Sequence, residues 1–371
     1  MNAVCNAVRV HFCRFFVSGL IASFAAIATE AAPTTRVVPT MYPTIQSAVN
    51  AASAGDKIVV LAGIYVEQVS IAKNLEITGA KAESTIIRAP ANLVPGNTGT
   101  NAIVEIFGGA RVTISRLTVS GPAAGACDDA TKLRAGIGVR DGAHLDLSFA
   151  AVTRIHNTPF AACFHAGHGI TVGEPTGTTG TATIEHSDIS DYSGAGIIVF
   201  GDGSSANISH NVITGAGLST VAATAGIEII LGATGTISHN DISGNACGSP
   251  DLGCGPDYLN QFQTAGILAG GSGTVVSHND VHGNQVGIYT FDGAQLSHNK
   301  LANNQFFGLQ IDSGLVTSSH DDVSGGFGGV WVVAAFGNTA AILDKIRISG
   351  TSGAPIQTFE CCGFTATVTK H

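Results

Sequence analysis

Short runs in which apolar residues alternate with polar or small ones follow one another along most of this chain. Between Gly169 and Trp331 they recur at an interval of about 20 residues. Each interval opens on a glycine–aliphatic pair: Gly169-Ile170, Gly196-Ile197, Gly226-Ile227, Gly266-Ile267, Gly287-Ile288 and Gly308-Leu309. From 11 to 17 residues after the glycine comes the histidine of a second phrase. Its clear copies are Ile208-Ser209-His210-Asn211, Ile237-Ser238-His239-Asn240, Val276-Ser277-His278-Asn279 and Leu296-Ser297-His298-Asn299. Ile184-Glu185-His186-Ser187 and Ser318-Ser319-His320-Asp321 are worn versions. Period-2 alternation predicts half-buried strands, and a fixed repeat predicts coils stacked so that each buries its neighbour's apolar face.

Stacked strands lie about 4.8 Å apart with side chains alternating in and out, so the repeat sorts residues into columns. With the aliphatic residue of each pair inside, Ile170, Ile197, Ile227, Ile267, Ile288, Leu309 and Val330 form one inward column. Val172, Val199, Ile229, Ala269, Thr290, Ile311 and Val332 form another. The outward columns read Thr171, Ile198, Glu228, Leu268, Tyr289, Gln310, Trp331 and Gly173, Phe200, Ile230, Gly270, Phe291, Asp312, Val333, with Glu105, Phe107 and Arg140 on preceding coils. The asparagines of the phrase are expected to mark a turn, because Asn tolerates left-handed backbone and its amide can bond the next coil. Asn245, Asn284 and Asn304 read the same way. Six histidines on consecutive coils read as a ladder rather than a metal site, since a site seldom repeats at every coil.

Upstream of the repeats, residues 45–52 carry apolar positions at helical spacing and end before Gly55, which predicts a short helix capping the open end of the stack. Strand-like runs follow at 57–61, 65–71 and 75–79, then at 102–120 and 135–155, and the coils extend to about residue 345. Insertions at 122–134, 215–224 and 246–264 interrupt the spacing, and residues 350–371 are expected to close the far end. The first 31 residues have the pattern of an export signal: Arg9, His11 and Arg14 precede an uncharged run from 15 to 28, followed by small residues at Ala26, Ala28 and Ala31. That run is too short to span a bilayer, and no other segment is apolar enough to do so. The expected location is therefore secreted or periplasmic, with 32–371 as one domain.

The opening segment Tyr42-Pro43-Thr44-Ile45-Gln46-Ser47-Ala48-Val49-Asn50-Ala51-Ala52 is followed by Gly55-Asp56-Lys57-Ile58-Val59-Val60, Gly63-Ile64-Tyr65-Val66-Glu67 and Leu75-Glu76-Ile77-Thr78-Gly79. Together with the later repeats it resembles the right-handed parallel β-helix proteins of the pectin lyase-like superfamily, over nearly all of residues 42–345. The resemblance implies an all-β, single-stranded right-handed β-helix with an N-terminal helical cap. It implies carbohydrate as the substrate class less firmly, since catalytic and non-catalytic proteins share this fold.

Composition narrows the chemistry. The net charge of −9 disfavours nucleic acid or an anionic membrane as partner. Between Arg154 and Lys300 there are eleven acidic residues and no Lys or Arg, so a polyuronate lyase that uses Arg or Lys is confined to the neighbourhood of Arg111, Arg116, Arg134, Arg140 and Arg154. No cofactor is expected, and a metal, as Ca²⁺, would sit at an acidic loop such as Asp128-Asp129. Six cysteines remain after signal removal, Cys127, Cys163, Cys247, Cys254, Cys361 and Cys362, which suggests disulfides in an exported protein. Cys247 and Cys254 lie in one excursion, and the adjacent Cys361 and Cys362 are expected to pair elsewhere rather than with each other.

Familiar catalytic sets are missing. Gly63-Ile64-Tyr65-Val66-Glu67 resembles the opening of pectin methylesterases, but their downstream Gln and Asp motifs have no counterpart. Gly167-His168-Gly169 echoes one polygalacturonase motif, without the Asn-Thr-Asp or Arg-Ile-Lys partners. For a glycoside hydrolase, which needs two carboxylates, the best pair is Asp292 and Asp312 on neighbouring coils. The outward face is too aromatic for plain solvent exposure: Phe200, Tyr289, Phe291 and Trp331 interleaved with Glu228, Gln310 and Asp312 suit a glycan-binding groove. The function expected is thus binding of, or action on, a polysaccharide. The alternatives are loops burying that face as a secondary core, and a non-catalytic surface or periplasmic module.

Overall fold

The computed structural model describes residues 32–96, 101–125, 132–160, 166–175, 177–219, 224–248 and 264–371. The expected signal segment therefore lies outside the described residues, as do Cys127, Asp128, Asp129, Cys163 and Cys254. Within Pro33–His371 the strands form three long parallel sheets. Sheet A has 13 strands, from Thr35–Val38 to Ala366–Lys370. Sheet B has 11, from Gly63–Val66 to Arg347–Ser349, and sheet C has 11, from Val69–Ile71 to Ile356–Glu360. One coil visits C, A and B in turn, as in Ala195–Phe200, Ser205–Ser209 and Val212–Ser219, before the chain re-enters C at Ala225–Ile230. This is a parallel β-helix.

The register agrees with the sequence-derived columns. Ile170, Ile197, Ile227, Ile267, Ile288, Leu309 and Val330 are successive partners in sheet C, and all are fully buried. The glycine before each has a steric cause. A Cβ at Gly169, Gly196, Gly226 or Gly287 would lie 2.4–2.7 Å from the carbonyl oxygen of the equivalent glycine one coil on. No side chain fits where neighbouring coils approach so closely.

The His-Asn phrase forms the corner between sheets A and B, and there the structure reverses one expectation. The left-handed residue is the histidine, not the asparagine: His186, His210, His239, His278, His298 and His320 all have φ between 50° and 57°. Arg116, Phe149 and Lys345 hold the same corner on other coils at φ 56°, 51° and 51°. The asparagine that follows turns inward and is buried. Asn240 Oδ1 accepts from both the backbone N–H and the Nδ2 of Asn211 at 3.0 Å, while its own Nδ2 donates to Ile208 O and to Asn279 Oδ1. Asn279 and Asn299 continue the pattern, and Asp321 ends it by accepting from Asn299. A second ladder, Asn245–Asn284–Asn304, lines the corner between B and C, with the buried Tyr192 hydroxyl donating to Asn245 Oδ1 at 2.8 Å.

The exposed histidine rings stack face to face, 4.8–5.0 Å between centroids and 1–5° from parallel, with Phe149 extending the stack at 5.2 Å. Ring-nitrogen lone pairs lie in the ring plane, so parallel rings send them along parallel lines that do not converge on an ion.

At the start of the fold, the helix Ile45–Ala51 buries Ile45, Ala48 and Val49 in the core. Thr44 and Ser47 cap it reciprocally, and the Glu67 carboxylate accepts from the first-turn N–H groups of Ile45 and Gln46 at 2.9 and 2.8 Å. At the far end, residues 350–371 do not fold across the core. They add strands Ile356–Glu360 and Ala366–Lys370 to sheets C and A, with Ile348, Ile356, Ala366 and Val368 only partly buried. The reason is that their alternation matches the preceding coils.

The ladder makes a contrast that mutation can test. Asn240→Ala strands buried donors of Asn211 and should cost about 3 kcal/mol in chemical denaturation, whereas His239→Ala, an exposed stacking change, should cost about 1 kcal/mol or less. Equal losses would mean that the histidine stack, not the amide ladder, holds this corner.

Candidate functional site on the outer face of sheet C

The outward columns also fall in the expected register: Ile198, Glu228, Leu268, Tyr289, Gln310 and Trp331 are successive partners, and Phe291 pairs with Asp312. They do not make one open groove. Phe200 is buried in an apolar cluster with Ala195 and Ile198. Trp331 is 6% exposed, stacked on Phe307 with ring centroids 5.0 Å apart and flanked by Val333. These two patches are a secondary core. Between them the face opens at a cavity of about 290 Å³ lined by Tyr289, Phe291, Asp292, Asp312, Ser313 and Phe336.

Asp312 sits at the base of this cavity. It is 3% exposed, Tyr289 donates its hydroxyl to Oδ2 at 3.3 Å, and Oδ1 is buried without a hydrogen-bond partner. Burial pushes its pKa above the ordinary carboxylate value, opposed by the Tyr289 hydroxyl and nearby backbone amides. Burial, and after it the same carboxylate, pushes the Tyr289 phenol upward. Asp292 is exposed and differently built. Its backbone N–H donates to Ser313 O, its Oδ1 accepts from Ser313 Oγ at 3.0 Å, and its φ is 56°. Asp141, Leu231, Ser313 and Cys362, each followed by glycine, hold the same kind of left-handed corner. Asp292 is thus shaped by the corner, while Asp312 is shaped by the cavity. Phe336, 82% exposed at the rim, escaped the sequence reading because it lies in a connecting loop outside the alternation.

Two further groups occupy this face. Glu228 keeps some accessible surface but lies between Ile198 and Leu268, hemmed in by protein, and burial pushes its pKa up to about 7. Nearer the N-terminus is a buried ionic group: Arg140, 2% exposed, pairs with Glu174, and Glu105 is 2% exposed beside it. Ser70 Oγ donates to Glu105 Oε2 at 3.4 Å. Burial lowers the Arg140 pKa, and Glu174 and Glu105 oppose the shift. The sequence reading had Glu105 and Arg140 but not Glu174, which follows the end of its strand and so carries no alternation signal. Lys132, 5% exposed, precedes the strand Ala135–Val139 and likewise carries no alternation signal.

Comparison with known proteins agrees with this architecture. Residues 168–346 match the family model described as a right handed beta helix region. The fold superposes on the Agl-KA catalytic domain with a TM-score of 0.59 at 16% identity, covering 92% of this chain and 69% of that one. It also superposes on the catalytic domain of a GH87 alpha-1,3-glucanase in complex with tetrasaccharides, at TM-score 0.52, 14% identity and coverage of 91% and 70%. A third match is a mutant of the periplasmic alginate epimerase AlgG, at TM-score 0.50, 14% identity and coverage of 88% and 86%. No curated protein matches the sequence. The fold is a right-handed parallel β-helix. Among the described residues no helix is long and apolar enough to cross a membrane.

Glu228 gives a pH test. Its folded-state pKa, about 7, lies above the ordinary 4.5, so between those values the folded protein holds a proton that the unfolded chain has released. Its contribution is fully present below the ordinary value and is lost as pH rises through about 7. Glu228→Gln should therefore gain thermal stability relative to wild type at pH 8 but not at pH 4. Thermal melts at the two pH values check this, and an equal change at both would show that Glu228 ionises normally.

Proposed function

We propose that the protein binds a polysaccharide along the outer face of sheet C and holds one sugar unit in the Tyr289–Asp312 cavity. The carrying observation is the cavity wall itself. It joins the ring faces of Tyr289, Phe291 and Phe336, which suit the apolar side of a pyranose, to polar groups of Asp292, Ser313 and Asp312 on the same cavity, which suit its hydroxyls. The solved β-helix structures it resembles include a glucanase held with tetrasaccharides and an alginate epimerase, which supports carbohydrate as the ligand class. An Asp312 carboxyl with a raised pKa is also suited to donate a proton to a leaving oxygen, with Asp292 on the same cavity as its partner. An exported protein, as its first 31 residues suggest, would meet polysaccharides outside the cytoplasm.

A panel of neutral and uronic-acid glycans, read for binding by calorimetry and for new reducing ends or unsaturated products, tests the proposal. Tyr289→Ala should weaken binding of the best ligand at least about tenfold, as expected for a lost ring contact and hydrogen bond. Asp312→Asn should abolish any turnover while leaving the fold intact by circular dichroism. Binding unaffected by Tyr289→Ala would overturn the cavity assignment, and the absence of any glycan ligand would overturn the function.

A further inference from the structure

The last corner of the β-helix brings together two thiols. Cys361 follows its sheet C strand Ile356–Glu360 and Cys362 begins the turn to sheet A, with φ 60° at Cys362 and 86° at Gly363, closed by Phe364 N–H donating to Cys361 O at 3.0 Å. This turn places the Cys361 and Cys362 Sγ atoms 2.8 Å apart, both as free thiols, with Cys362 exposed. The expectation that they pair with cysteines elsewhere is not met in this structure, because the left-handed corner turns both side chains to the same side. The pair is also linked to the segment that carries the cavity rim. Cys361 N–H donates to Ala334 O at 3.1 Å, Cys361 Sγ lies 4.0 Å from Ala335 O, and the next residue, Phe336, lines the cavity rim. The Cys361 thiol is raised above its ordinary range, first by its bond to Cys362 and then by burial and the Cys362 and Asp312 charges.

We propose that Cys361 and Cys362 form a redox-active vicinal dithiol that closes to a disulfide within the turn and alters the wall of the Tyr289–Asp312 cavity. The oxidant is a small-molecule disulfide. A thiolate of the pair attacks one of its sulfurs and releases one small thiol. The second cysteine then displaces the other small thiol from the mixed disulfide. The net change is loss of two electrons and two protons from the pair and reduction of the reagent to two thiols. The ring formed spans the Cys361–Cys362 peptide, whose corner conformation must adjust, and the Cys361 contact with the Ala334–Phe336 segment adjusts with it. The reduced pair has the spacing of a chelating dithiol for a soft, thiophilic trivalent arsenical.

The test uses the full-length protein, first reduced mildly and then exposed to hydroxyethyl disulfide. Peptide mass mapping should show the segment containing both cysteines lighter by two hydrogens, with no reagent attached, and dithiothreitol should restore it. Phenylarsine oxide should bind the reduced protein one to one at this segment, and Cys361→Ser or Cys362→Ser should abolish both results. Amide hydrogen exchange of residues 334–338, which bond Cys361 and carry the cavity rim, should change on oxidation in wild type but not in Cys361→Ser. A stable mixed disulfide, a link between two copies or a link from either residue to another cysteine would overturn the vicinal pair. Unchanged exchange of residues 334–338 on confirmed ring closure would overturn the pair's coupling to the cavity. Neither readout needs a bound glycan, so failure here is distinguishable from failure of the polysaccharide reading.

Discussion

The structure depends on coils stacking in register at the spacing of hydrogen-bonded strands, and the buried asparagine ladder enforces it at the corners. A corner must turn the chain away from the sheets, which would leave backbone groups inside the protein without partners. Asn211, Asn240, Asn279 and Asn299 each supply an acceptor to the preceding coil and donors to a carbonyl and to the next coil, so the polar groups of the corner satisfy one another. Because each amide serves its neighbours, a shift of one coil would break several bonds together. The histidine before each asparagine accepts the left-handed backbone this arrangement requires, and the constant spacing then stacks the rings whether or not stacking has a use.

Regularity at the corners leaves the sheets free to differ outward. The inward columns must stay aliphatic to fill the core, and the column of glycines must stay small where coils approach. The outward face of sheet C has no such duty, and its residues change from coil to coil. Its apolar members bury one another, Phe200 with Ile198 and Trp331 with Phe307, and the break between these patches makes the cavity. A site on a β-helix therefore arises where the repeat permits irregularity, and Asp312 is held there by strands rather than by a flexible loop.

Most of the fold was legible because both of its periods are written in the chain. Alternation gave the strands and their faces, the glycine–aliphatic pair gave the register, and the columns assigned Tyr289, Phe291 and Asp312 to one face before any coordinates. The misreadings share a cause: they concern residues whose role depends on a neighbour that periodicity does not specify. Asn and His both tolerate left-handed backbone, so nothing in the phrase itself says which one turns. Trp331 looked open because the ring that covers it, Phe307, stands at another position of its own strand. Glu174, Lys132 and Phe336 lie outside the alternating runs and had no signal.

The sequence by itself determined the stack: coil length, inward columns, the face on which irregular residues would gather and the charge balance that disfavours nucleic acid. These follow from spacing and composition, which survive without knowledge of any contact. Only the tertiary structure decided which part of that face is closed and which open, that Asp312 rather than Asp292 is the carboxylate buried at the cavity, and that Cys361 and Cys362 face each other. Those outcomes depend on side-chain direction and on packing between residues on different strands, and a one-dimensional repeat carries no information about either.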